Sequence, residues 1–142
     1  MDDKQRAQQM VEGAKEQLLT LSRRIHRHPE LGFEEELAAG WVSEALDGAG
    51  FAVESGVGGL PTAFQACAGS GPLNIAICAE YDALPGIGHA CGHNVIAAAA
   101  VGAGIALAQV ADSLGITVIV LGTPAEEVGD AAGKVLLLER GG

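Results

Sequence analysis

The sequence predicts an α/β domain, in which helices pack on a sheet that contains parallel strands. Three observations support this prediction: the chain opens with helical patterns, two apolar runs of strand length follow, and helical patterning separates those two runs. The runs are LNIAICA at 73–79 and the β-branched ITVIVL at 116–121. Runs of this kind are typical of strands buried on both faces, and a helix between two strands favours a parallel pair. Helices and buried strands in alternation build a layered α/β domain.

The remaining elements follow from hydrophobic periodicity and from turn residues. Apolar residues at spacings of three and four predict one helix that ends at His28-Pro29 and a second that ends at Gly48. Short apolar segments bounded by Gly, Pro and Ser predict strands. The predicted helices cover 5–28, 34–47, the region from the CGHN segment to 111, and a stretch from about 130, and the two further strands cover 51–54 and 62–68. No repeat or linker divides residues 1–142, which we treat as one domain.

Composition and charge narrow the classes of protein and of partner. The chain has 142 residues, of which 49% are hydrophobic and 18% charged, as expected of a folded domain with its own core. Acidic residues outnumber Lys and Arg by 18 to 8, giving a net charge of -10. This charge repels phosphate backbones and anionic lipid surfaces. We therefore expect neither nucleic acid nor membrane as a partner.

The sequence also bears on the cellular location. The apolar stretch 95–110 is rich in Gly and Ala and shorter than the roughly 20 residues of a bilayer span, so we expect a buried helix. The first ten residues lack the apolar core of a signal peptide, which favours a cytoplasmic protein. Cys67, Cys78 and Cys91 are odd in number and widely spaced, so we expect reduced thiols.

Polar side chains are concentrated just after the two most apolar strands. EYDALPG and GHACGHN follow the run at 73–79, and GTPAEE follows the run at 116–121. In α/β sheets the reactive groups gather at the carboxyl ends of strands. The sequence therefore predicts that carboxylates, imidazoles and a thiol converge at one edge of the sheet.

Each pair of these residues has a structural and a functional interpretation. Cys91 and His93 suit a shared cation, but two ligands do not make a site, so this pair alone favours a buried thiol and a helix-capping histidine. Glu126 and Glu127 can divide metal binding and proton transfer, but alone they favour a simple interaction with a helix dipole. Considered together the residues favour a metallohydrolase, because such a site needs ligands, a general base and a supporting carboxylate.

Four motifs in order resemble a known family. IHRHPELGFEE, AEYDALPG, HACGHN and GTPAEE resemble the amidohydrolase branch of the zinc metallopeptidase family of aminoacylase and carboxypeptidase type. That branch includes hippurate hydrolase, auxin-conjugate hydrolase, aminobenzoyl-glutamate hydrolase and related dipeptidases. The resemblance implies a truncated zinc-exopeptidase-like fold, a three-layer sandwich with a mixed, mostly parallel sheet. It also implies that residues 1–142 are the N-terminal portion of the catalytic domain, without the dimerisation domain and the C-terminal half.

The resemblance assigns roles to particular residues. It implies that Cys91, His93 and Glu127 are metal ligands and that Glu126 is the general base. Asp82 matches the aspartate of the DALP motif, which supports the metal centre. The family motif often reads CGHD with a further histidine two positions on, whereas this chain has Asn94 and Ile96. That departure removes a supporting carboxylate and leaves the predicted ligands in place.

The implied activity is metal-dependent hydrolysis of an amide bond in an N-acyl amino acid or dipeptide. Metal-activated water would attack the amide, with Glu126 as general base. Zinc suits the ligand set best, manganese and cobalt are alternatives, and one or two ions are expected. The full-length enzyme would be a homo-oligomer. The family completes its metal centre with histidines that have no counterpart here, so we expect this chain alone to be inactive. The alternative is a non-catalytic fragment or binding module that retains the fold.

The other histidines have separate interpretations. His26 and His28 lie roughly 200° apart around a helix and cannot share a metal, so structural roles at the helix end are expected. His89 can orient a carboxylate, line a substrate pocket or be exposed at the surface, and the sequence leaves these possibilities open.

Overall fold

A computed structural model describes residues 1–141, and every predicted helix and strand is present in it. The strand predicted at 73–79 has the observed bounds, and the other predicted bounds lie within three residues of the observed ones. The α-helices are α1 (Asp3–Arg27), α2 (Glu36–Gly48), α3 (His93–Ala108), α4 (Ala111–Leu114) and α5 (Ala132–Glu139). The strands are β1 (Ala52–Ser55), β2 (Phe64–Gly69), β3 (Leu73–Ala79) and β4 (Ile116–Gly122), and a 3-10 helix covers Val57–Gly59.

The four strands form one mixed sheet in the order β1-β2-β4-β3. The β3–β4 pair is parallel, as expected for strands joined through a helix, here α3. The β1–β2 and β2–β4 pairs are antiparallel. The α/β class and the mixed sheet are therefore confirmed, but parallel pairing does not predominate within residues 1–141. The connection from β1 to β2 is too short for the crossover that a parallel pair requires.

The helices cover mainly one face of the sheet. α2 and α3 pack on that face, and α1 packs against the outer side of α3. Val118 and Val120 of β4 are completely buried there. On the opposite face α5 lies over one corner of the sheet, and Cys78 on β3 is exposed. Within the described part of the chain, the third layer of the predicted sandwich is thus represented by α5.

Small residues allow α3 to fit between the sheet and α1. A Cβ atom on Gly104 would lie 2.7 Å from Val120, and one on Gly102 would lie 2.8 Å from Leu18 of α1. Larger side chains at these positions would force the layers apart. The apolar stretch predicted as a buried helix is therefore a helix packed on two sides. No helix within residues 1–141 combines the length and the apolarity that a bilayer span requires.

Candidate metal centre

One imidazole and two carboxylates meet at the carboxyl ends of β3 and β4. The ligand atoms of Glu80, His93 and Glu126 all lie within 4.8 Å of one another. His93 Nε2 is 3.4 Å from Glu80 Oε2 and 3.4 Å from Glu126 Oε2. The topology explains the meeting, because β3 and β4 are parallel neighbours and α3 begins with His93 at the same edge. Gly92, at φ +81, makes the sharp entry into α3 that glycine favours.

Asp82 fixes the orientation of the His93 ring. His93 is 4% exposed, and its Nδ1 lies 2.9 Å from the main-chain oxygen of Asp82 and 3.0 Å from Asp82 Oδ1. A proton on Nδ1 donates to the main-chain oxygen and lies close to Oδ1, so Nε2 is the atom presented to the carboxylates. A carboxylate behind an imidazole in this way sets the tautomer of histidines that bind metals.

The charges around His93 favour its protonated form when no cation is bound. The hydrogen bond with the Asp82 side chain raises the pKa of His93 to about 9, against the opposing effect of burial. Burial works against the charged form of Asp82 too, yet its hydrogen bonds with His93 and with the main chain of Glu127 hold its pKa below the ordinary value. A divalent cation that binds Nε2 must therefore displace a proton.

Glu127 and Cys91 lie at the rim of the same cleft. Glu127 Oε1 is 3.8 Å from His93 Nε2, and its main-chain N–H donates to Asp82 Oδ2 at 2.9 Å. Cys91 is exposed, and its hydrogen bond with the Glu127 carboxylate raises the pKa of the thiol. The structure thus brings all five predicted site residues to one cleft, with His93 and Glu126 in the tight cluster and Asp82 behind it. Their assignment as ligands, base and support stays a prediction.

Two further residues of the cleft were not among the predicted site residues. Glu80 is the first residue after β3, and its Oε1 lies 2.5 Å from the Lys134 ammonium of α5. The position of Glu80 beside Asp82 in a strand-end loop was the available signal. No comparable signal pointed to Lys134, which reaches the cleft only because α5 folds back over the strand ends.

The remaining histidines and Asn94 lie outside the cluster. His89 is buried, so the surface-exposure alternative is wrong, and neither ring nitrogen has a hydrogen-bond partner among residues 1–141. Nδ1 of His28 lies 2.9 Å from the Arg24 main-chain oxygen at the end of α1. Asn94 donates to Ser22 Oγ at 2.9 Å and so joins α3 to α1. The residue that departs from the family motif therefore serves packing in this chain.

A mixed α/β sheet whose strand ends gather an imidazole and several carboxylates defines a candidate metallohydrolase. No model of a protein family matches the chain. It is 45% identical over 153 residues to Xaa-Arg dipeptidase of Mus musculus, an alignment that covers 97% of this chain and 35% of that protein. It is 35% identical over 150 residues to a p-aminobenzoyl-glutamate hydrolase protein of Escherichia coli, covering 92% of this chain and 31% of that protein.

Solved structures of a peptidase and of a putative aminohydrolase are also similar to this chain. The Bacillus subtilis YXEP protein, described as a dinuclear metal binding peptidase from the M20 family, matches with a TM-score of 0.81 and 31% identity over 92% of this chain and 40% of that one. A putative aminohydrolase from Staphylococcus aureus matches with a TM-score of 0.83 and 30% identity over 96% of this chain and 40% of that one. The chain is thus similar to dipeptidases and amidohydrolases, and to a solved structure described as a metal-binding peptidase from the M20 family. It spans about a third of the length of the curated relatives that it matches.

Proposed function

We propose that this chain contributes the His93 cleft to a metal-dependent amidohydrolase that cleaves an N-acyl amino acid or a dipeptide. The observation that carries the proposal is the His93 ring, which Asp82 holds from behind while its Nε2 faces Glu80 and Glu126. The names of the relatives, which include dipeptidases, an aminobenzoyl-glutamate hydrolase and an N-acetyl-L-cysteine deacetylase, support small amide substrates.

The donor set fits a divalent cation. Four carboxylates surround one imidazole, those of Glu80, Asp82, Glu126 and Glu127, and the Lys134 ammonium forms an ion pair with Glu80. Such an excess of negative charge favours a cation, and imidazole, carboxylate and thiolate together suit zinc. We propose His93, Glu127 and Cys91 as ligands, with Glu80 as a further candidate. Zinc as the ion, a cytoplasmic location and a homo-oligomeric full-length enzyme belong to the same proposal.

A bound cation would supply Lewis-acid activation of water and of the amide carbonyl. Glu126 would accept the proton from the attacking water and pass it to the leaving amine. Its side chain is the most accessible of the carboxylates in contact with His93, at 34% exposed, and it is close enough to His93 to act within the cleft. Asp82 would keep His93 in the tautomer that leaves Nε2 free. The products are a carboxylic acid and an amine.

The test is a Glu126→Gln variant of the full-length protein that contains this sequence. We expect the variant to retain its metal and to lose hydrolysis of N-acyl amino acids and dipeptides by about a hundredfold or more, since that is the usual contribution of a general base. Metal content is measured by elemental analysis and turnover by release of the free amine. Equal loss of metal and activity would make Glu126 a ligand, and undiminished turnover would contradict the mechanism.

A further inference from the structure

We infer that Glu35 is a positioning residue that holds the Glu126–Glu127 loop in the conformation that presents both carboxylates to the cleft. Glu35 is completely buried, and its Oε1 accepts a hydrogen bond from the main-chain N–H of Ala125 at 2.7 Å. Its Oε2 accepts from Thr62 Oγ1 at 3.0 Å. The functional part of this inference rests on the proposed metal centre, whereas the structural part concerns the loop alone.

The loop needs an external restraint because of its backbone conformation. Ala125 has φ +56, a left-handed backbone conformation that residues other than glycine rarely adopt. This conformation costs on the order of 1 kcal/mol or more. The N–H of Ala125 donates to Glu35, and the N–H of Glu127 donates to Asp82 Oδ2. The main-chain N–H groups of both neighbours of Glu126 are thus held by buried carboxylates.

Glu35 belongs to a segment that contacts both loops of the cleft. The main-chain oxygen of Glu30 accepts from the N–H of Ala83 at 2.8 Å, next to Asp82. A Cβ atom on Gly32 would overlap the Val128 side chain and lie 3.0 Å from the Cβ of Ala125, so a larger residue would push the two segments apart. Residues 30–35 therefore connect the loop after β3 with the loop after β4.

The alternative is that Glu35 only stabilises the start of α2. Glu35 occupies the N-cap position of α2, but its side chain makes no capping hydrogen bond. The carboxylate of Glu30 instead accepts from the N–H groups of Leu37 and Ala38, at 2.9 and 2.8 Å. Burial raises the pKa of Glu35, which shows that this position is unfavourable for a charge. An apolar side chain would serve packing better, so the contact with Ala125 is the distinctive role of this residue.

Three variants separate the two roles. Glu35→Gln keeps an oxygen acceptor for Ala125, whereas Glu35→Met has similar length and no such acceptor. Thr62→Val is the matched control, because it removes the other hydrogen bond of the same carboxylate and leaves the Ala125 contact intact. Amide hydrogen exchange at Ala125 and Glu127 is measured by NMR on the metal-free chain, and Co²⁺ affinity by titration. Urea unfolding of each variant separates local from global effects.

We expect Glu35→Met to accelerate amide exchange at Ala125 at least tenfold more than its change in unfolding free energy alone would. We also expect it to weaken Co²⁺ binding about 10- to 100-fold, as loss of a residue that supports a metal ligand usually does. Glu35→Gln and Thr62→Val should stay within about threefold of wild type in both measurements. If Glu35→Met fails to fold, Glu35→Asp withdraws the acceptor by one methylene group and should show the same two effects.

Two results would overturn the inference. The first is that Glu35→Met keeps the wild-type amide exchange rate at Ala125 and the wild-type Co²⁺ affinity. The second is that Glu35→Met and Thr62→Val change both quantities to the same extent, in proportion to their loss of unfolding free energy. If the wild-type chain binds no Co²⁺, the proposed metal centre fails. Amide exchange at Ala125 then still decides whether Glu35 holds the loop.

Discussion

Raising the pH from 6.5 to above 9 should destabilise the metal-free protein through His93. The pKa of His93 is raised from 6.5 to about 9, chiefly by its hydrogen bond with Asp82. A group whose pKa is higher in the folded than in the unfolded state stabilises the folded state fully at any pH below the unfolded-state pKa. This stabilisation is lost as the pH rises through the folded-state pKa. The full shift corresponds to about 3 kcal/mol. Solvent screening at the partly exposed carboxylates of Glu80 and Glu126 reduces it, so we expect about 2 kcal/mol.

The assay is urea unfolding in a chelating buffer at pH 6, 7, 8 and 9.5, with His93→Gln as the control. Other titrating groups are shared by both proteins, so the difference in unfolding free energy isolates His93. We expect wild type to be the more stable at pH 6 and the difference to shrink steadily towards pH 9.5. A difference that is constant across this range would refute the charge assignment around His93.

Three further substitutions test other contacts of the cleft. Cys91→Ser should weaken zinc binding about tenfold or more, since a thiolate is the softer ligand, and Zn²⁺ titration checks this. Lys134→Gln should strengthen binding of divalent cations severalfold, because the ammonium that pairs with Glu80 is removed, and the same titration with Mn²⁺ measures it. Gly133→Ala should cost about 3 kcal/mol in urea unfolding, because the new Cβ would overlap the main-chain oxygen of Pro124.

The periodicity of the sequence predicted the elements well but not their pairing. The apolar run that became β3 was bounded correctly, because Gly, Ser and Pro precede it and a charged loop follows it. Pairing direction depends on the connections between strands. The short β1–β2 connection produced antiparallel neighbours that strand composition alone does not reveal.

The candidate site, too, was predictable from the sequence only in part. Position after apolar strands selected the loops that carry Asp82, His93 and Glu126, and the family resemblance then selected these residues, which the structure places in one cleft. The direction of a side chain in an irregular loop is not encoded by any periodicity, so Glu80 could be placed in the loop but not against His93. The Glu35 contact with Ala125 joins residues 90 positions apart, a pairing that only the folded chain reveals.

Calorimetric titration of the metal-free chain with Zn²⁺ at pH 7 tests most directly whether the His93 cleft binds a divalent cation. We expect weak but specific binding with release of about two protons, detected in buffers of different ionisation enthalpy, because the cation displaces one proton from His93 and one from the Cys91 thiol. His93→Gln should lose at least tenfold in affinity, whereas His28→Gln, at the end of α1, should bind as wild type does. Wild-type binding that is absent, or that is unchanged in His93→Gln, would contradict the account.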